Sequence, residues 1–269
     1  MEKLGFTLLV AGLAAAGLGG ASQAGDAAEF DYRDWTSVLS RFVDDRGQVD
    51  YAALAVDRAA LDRYLELIAE SGPQTTPERF ATREDELAYY VNAYNALVFQ
   101  GVLDGHVDAD SVWRGLIPGY SFFVKKKFRL DGQSINLRNL ENKLVRARFG
   151  DARIHAALNC ASVGCPRLPT TAFEADGLEK TLNDAMAEFV SNENNVRVDP
   201  AERTLYLSKI FEWYRDDFLD DEREAGNDDP NLVDYVNRFR SKDTTPIPRD
   251  YAIRFLEYDK RLNRTEAIE

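Results

Sequence analysis

Cysteine, histidine and methionine are scarce in this chain of 269 residues, at two each. The two cysteines are not spaced as the close pair from which structural zinc sites are usually built. Positive charge is also short: 33 Lys and Arg face 46 Asp and Glu, a net charge of −13. Such a surface repels phosphate backbones and anionic lipid, which argues against nucleic acid or membrane binding as the main task. The local exception is Val124-Lys-Lys-Lys-Phe-Arg129, whose simplest reading is lysines guarding an exposed edge strand. There is no glycine-rich phosphate loop, no Gly-x-Ser-x-Gly elbow, no internal repeat and no low-complexity linker. Nothing in the pattern requires a cofactor or a bound metal.

Long apolar runs are confined to the N-terminus. Met1-Glu-Lys3 precedes a Leu-, Ala- and Gly-rich stretch that ends in Ala-Ser-Gln-Ala24, the three-part layout of a secretory signal with small residues at the cleavage positions. Cleavage is expected after Ala24, which leaves a single domain over residues 25–269 with no integral membrane segment and a periplasmic or secreted home. An unidentified extracytoplasmic substrate or protein is the expected partner, and nucleic acid is not.

The patterning predicts an α+β fold, with helices packed on a small, mainly antiparallel sheet containing two hairpins. A papain-like or transglutaminase-like layout is one form that arrangement can take. Tyr51 to Glu70 and Glu84 to Asp104 carry apolar residues at helical spacing. Alternating runs at Phe123 to Leu130 and Gln133 to Leu137 are joined by Asp131-Gly132, a strong hairpin signal. Asn136 is expected to cap a helix with a Leu137, Leu140 and Leu144 stripe. A second hairpin is expected over Val196 to Val198 and Leu205 to Leu207, and a helix over Ile210 to Phe218. The acidic stretch from Asp220 to Pro230 reads as a solvated loop, and His106 as an exposed residue of a polar loop.

Both cysteines and one of the two histidines fall within Arg153-Ile-His-Ala-Ala-Leu-Asn-Cys-Ala-Ser-Val-Gly-Cys-Pro166. Ile154, Ala156 and Leu158 alternate with His155, Ala157 and Asn159, which reads as a strand, with a helix as the alternative. Either geometry puts His155 and Asn159 on one side. In an oxidising compartment Cys160 and Cys165 can close a short ring worth roughly 2 kcal/mol. A structural disulfide and a free, reactive thiol both remain open readings.

Five short pieces occur in one order: Tyr90-Val-Asn-Ala-Tyr-Asn-Ala96; Ile135-Asn-Leu with Glu141 and Arg146; Arg153-Ile-His155 through Asn159-Cys160-Ala-Ser to Cys165-Pro166; Leu207 to Phe218; and Tyr258-Asp259 with Leu262-Asn263. In this the chain resembles domain-of-unknown-function family 547 from about Asp85 to Asn263. The resemblance implies one α+β domain of a kind common in bacterial extracytoplasmic proteins. It singles out the asparagine pair, the glutamate, the histidine and both cysteines as motif positions. Lys260 and Arg261 stand where that family usually carries tryptophan and serine, which puts an aromatic contact of the tail in doubt.

The chemistry these residues suggest is hydrolysis or transfer of an acyl or peptide-like group by a cysteine assisted by His155. A thiolate is the nucleophile, and a nearby imidazole can take its proton and stabilise its charge. Cys160 is the expected nucleophile, with Asn92, Asn95 or Glu141 orienting the imidazole. The alternative is a non-catalytic, disulfide-braced binding module for an extracytoplasmic protein or glycan, with Trp213 and Tyr214 lining a groove. A third class is a metal site through His155, Cys160 and Cys165.

Overall fold

The computed structural model describes residues 29–265, so the expected signal segment and its cleavage point lie outside the described residues. Three helices open the fold, α1 (Arg33–Phe42), α2 (Tyr51–Val56) and α3 (Ala59–Glu70). The helical pattern from Tyr51 to Glu70 is thus broken at Asp57-Arg58. They surround α4 (Arg83–Leu103), which is started by a reciprocal Thr82 and Asp85 capping box. From Leu87 to Phe99 every α4 residue is buried, including Asn92 and Asn95, so it is a central core helix rather than an amphipathic surface one.

Strands β1 (Phe128–Leu130) and β2 (Gln133–Ile135) pair antiparallel across Asp131-Gly132, as the turn residues predict. Both turn residues have positive φ, 51° and 73°. The Asp131 carboxylate is buried and accepts from the Gln74 and Thr75 amides and the Thr75 hydroxyl, which ties the 71–77 loop to the hairpin. The lysine run is not the edge strand expected, because Tyr120–Lys125 coils into a wide helical turn before β1 begins. Asn136 does cap the next helix, accepting from the Asn139 amide at 2.8 Å. That helix runs as α5 (Leu137–Asn139), a wide-turn stretch Leu140–Arg146, and α6 (Ala147–Phe149).

After α7 (Leu178–Ser191), β3 (Val196–Asp199) and β4 (Thr204–Leu207) form the second expected hairpin. The helix expected from Ile210 to Phe218 breaks at Tyr214 into α8 (Lys209–Trp213) and α9 (Arg215–Glu224). The start of the acidic stretch is therefore helical, and Glu222 is buried beside Arg238 rather than solvated. After α10 (Leu232–Phe239) the chain returns as β5 (Ala252–Phe255), parallel to β4, which becomes the central strand of three. The molecule is α+β, with two small, mostly antiparallel sheets; these features do not establish a papain-like layout.

Two hydrophobic cores divide the interior. One gathers α1 to α4 around stacked Trp35 and Tyr64; the other packs α7, α9 and α10 against the three-stranded sheet around Phe211, Phe218 and Tyr235. The segment read as a strand is instead a short 3-10 helix, Ala152–Ala156, lying between them. Ile154, Ala157 and Leu158 enter the first core, while Ala152 and Ala156 enter the second. Burial on both sides produces the apolar alternation without a strand.

Candidate active site

The cysteine loop is positioned by backbone pairing with the C-terminal tail. Val163 and Gly164 amides donate to the Arg261 and Asp259 carbonyls, and the Asn263 amide donates to the Ala161 carbonyl. Gly164 is required by close approach: a Cβ there would lie 2.9 Å from the Tyr258 ring and 3.0 Å from the Asp259 amide nitrogen. Asn159 closes the loop from within, its amide donating to the Pro166 carbonyl and its oxygen accepting from the Ala161 amide. Ala161 is thereby held at φ 62°, a left-handed conformation that costs a residue with a side chain about 1–2 kcal/mol. Strain of this kind clusters at functional sites.

Cys160 and Cys165 are free, half-buried thiols with their sulfurs 2.8 Å apart. The Tyr258 hydroxyl lies 3.1 Å from both. The two thiols are not equivalent. The Cys160 amide, which can only donate, points at Cys165 Sγ at 3.0 Å. Burial pushes the Cys165 thiol up, but hydrogen bonds from Cys160, Tyr258 and the Cys160 and Ser162 amides outweigh it and hold it below its ordinary value. Its hydrogen bond to Cys165, together with burial, drives the Cys160 thiol well above. Burial and the two sulfurs keep the Tyr258 phenol well above its ordinary value, so it remains a donor.

His155 is buried, and its Nε2 lies 2.7 Å from Asp217 Oδ2. The ring stacks on Tyr214 with centroids 4.0 Å apart. Asp217 also accepts two hydrogen bonds from Arg146, at 2.7 and 2.9 Å. Burial opposes ionisation of Asp217, but His155 and Arg146 outweigh it and hold the carboxyl well below the usual range. Beside this chain the Tyr214 hydroxyl donates to Glu141 at 2.5 Å and that of Tyr94 at 3.3 Å.

The two thiols, Tyr258, His155, Tyr214 and Glu141 line one cleft of about 360 Å³; Asp217 and Arg146 are not among its lining residues. Its walls are largely aromatic: Trp113, Tyr120, Phe123, Trp213, Tyr214 and Tyr258. Of the residues singled out from sequence, the cleft brings together His155, Cys160, Cys165 and Glu141. Asn92 and Asn95 are elsewhere, bonded to backbone. Asn92 exchanges two hydrogen bonds with Phe173, and Asn95 donates to the Ala157 carbonyl and accepts from the Asn159 amide. Asn95 thus fixes the chain between His155 and Cys160 without reaching the cleft. The residue that orients the imidazole is Asp217, and the hydroxyl that serves the thiols belongs to Tyr258; neither was expected in that role. Helical spacing from Tyr214 to Asp217 and Phe218 was the available signal for the first.

Lys260 does not remove the tail from the aromatic wall, because its ammonium sits 5.5 Å above the Trp113 ring. His106 is half-buried, edge-on to Phe122, and its pKa is lowered chiefly by burial. No group of three or more His, Cys, Asp or Glu able to hold a metal occurs among the described residues.

Fold and site together define a helix-rich α+β protein whose aromatic cleft holds a dithiol and a histidine backed by an Asp-Arg pair. Residues 78–190 match the family described as Protein of unknown function, DUF547, and the chain carries that domain. The match covers Asn92, Asn95, Glu141, His155 and both cysteines; Tyr214, Asp217 and Tyr258 lie beyond its end. No curated protein and no solved structure matches the chain.

Proposed function

We propose that this protein is an exported, cysteine-dependent hydrolase or transferase of acyl or peptide-like groups, with Cys165 as the nucleophile. One observation carries the reading: Cys165 Sγ is the sulfur on which the donors converge, in a cleft it shares with His155, whose Nε2 is held by Asp217. The sequence expectation placed Cys160 first; the donor pattern favours its neighbour. No hydrogen bond joins His155 to either sulfur among the described residues, so proton transfer between them runs through a water or the bound substrate. The thiol proton passes to His155 as sulfur bonds to the acyl carbon and the bond to the leaving group breaks. His155 then returns the proton to the leaving group. Water, or an acceptor hydroxyl or amine, cleaves the resulting thioester and restores the thiol. Tyr258 supports the anionic sulfur, and the aromatic walls take an apolar acyl group. The signal-like N-terminus supports a periplasmic or secreted site of action.

Release of nitrophenol from esters with aromatic and aliphatic acyl groups tests this. Cys165→Ser is expected to abolish release and His155→Ala to slow it by about 100-fold, with far-ultraviolet circular dichroism unchanged. Wild-type rates in both variants would overturn the reading. The 2.8 Å between the sulfurs also favours the second reading, a braced binding module, because little movement would join them. In that case reduction changes stability and reveals no turnover.

A further inference from the structure

We propose that the mouth of the cleft is a docking surface for an anionic lipid bilayer, with the 114–120 loop entering the headgroup region. The first observation is exposed apolar area concentrated in one place. Leu116, Ile117, Tyr120 and Trp213 are 106%, 66%, 48% and 46% exposed, and they make up four of the six large hydrophobic side chains exposed among the described residues. Three of them line the cleft, and Leu116 stands at the tip of the loop beside Ile117. Exposed apolar patches of this sort mark interaction sites.

The second observation is charge. Residues 111–143 hold seven Lys and Arg against two acids, in a chain whose net charge is −13. One acid, Asp131, is buried under the 71–77 loop, and the other, Glu141, is bonded to two tyrosines inside the cleft. Lys126 pairs with Asp104, whereas Arg114, Lys125, Lys127, Arg129, Arg138 and Lys143 make no ion pair among the described residues. Arg138 lines the cleft mouth itself, and Asn136 ties its helix to the Val124 carbonyl next to the lysines. Fields are screened beyond about 8 Å at physiological ionic strength, so a surface facing this segment responds chiefly to the charges nearest it.

The combination selects a bilayer over an acidic protein. An exposed aliphatic tip with exposed Tyr and Trp on the same cleft, in a segment rich in Lys and Arg, is the layout that seats side chains at a membrane interface. A protein partner would need its own apolar pocket for Leu116. Docking here would present the cleft to lipid-borne substrate, but the attachment itself is independent of the thiol chemistry.

Sedimentation of the purified protein with vesicles tests the proposal without any turnover. Vesicles of phosphatidylethanolamine and phosphatidylglycerol are expected to carry the protein down, and vesicles of phosphatidylcholine alone are not. Lys125→Ala with Lys127→Ala should weaken partition about 25-fold, at about 5-fold per basic residue. Leu116→Asp should abolish it while leaving the thermal midpoint unchanged, since that side chain is fully exposed. Equal partition onto both vesicle types, or none onto the anionic ones, overturns the proposal. So does binding to polyglutamate that is tighter than to vesicles and survives Leu116→Asp, which would point to an acidic protein instead.

Discussion

The sulfur side and the carboxylate side of the cleft are built by different means. Cys160 and Cys165 sit on a loop whose shape is set by backbone pairing with the tail, by Asn159, and by the strained Ala161. His155, Asp217, Arg146, Glu141 and Tyr214 come mainly from helices and are held by one another's side chains. On the first side the ties are main chain and the buried Asn95 and Asn159, none of them a cleft-lining group, so the sulfurs stay available. On the second the functional groups are themselves the ties, and removing one leaves the others without partners. Reactivity and stability should therefore separate along this line.

The largest stability effect is expected where the sulfur loop's support is cut. Asn95→Ala leaves the buried Ala157 carbonyl and Asn159 amide without partners, a loss of about 3 kcal/mol. Urea unfolding measures it, and a loss under about 1 kcal/mol would show that other contacts fix the loop.

Asp217→Ala comes next, at about 2 kcal/mol, discounted from a fully buried pair because Asp217 and Arg146 each keep a quarter of their side chains exposed. Its pH signature is specific. The folded carboxyl is held below its unfolded value, so its contribution is complete above about pH 4 and is lost as pH falls through the depressed folded value. The variant should lack that part of the acid-side decline in unfolding midpoint. An unchanged decline would remove Asp217 from the account.

Tyr258→Phe should barely move stability, yet slow alkylation of Cys165 several-fold by removing a donor to its anion. Equal rates in the two proteins would leave the hydroxyl without influence on the sulfur. Opposite in sign, Ala161→Gly should relieve the left-handed strain and raise stability by about 1 kcal/mol, read as a higher urea midpoint. A lower midpoint would mean that the Ala161 side chain, buried in the first core, outweighs the strain.

The contrast also decides how much the sequence could reveal. Local signals carried the hairpins, the Asn136 cap and α4, because each depends on residues a few positions apart. The crowding of His155, Cys160 and Cys165 located the cleft. Alternation around Ile154 misled because two cores, not two faces of a sheet, bury that segment. Asp217 lies 62 positions from His155 and Tyr258 lies 98 from Cys160, so although both fall in the short pieces that carry the resemblance, which groups they would meet depended on long-range packing. The parallel strand β5 escaped for the same reason, since its partner β4 is reached only after α8 to α10.

The inequality of the two thiols is the central claim, and site-resolved alkylation of the reduced protein tests it most directly. Mass spectrometry after brief exposure to iodoacetamide across neutral pH should find Cys165 modified first, with a rate midpoint below that of an ordinary thiol, and Cys160 modified slowly. Faster modification of Cys160, or equal rates at both, would contradict it.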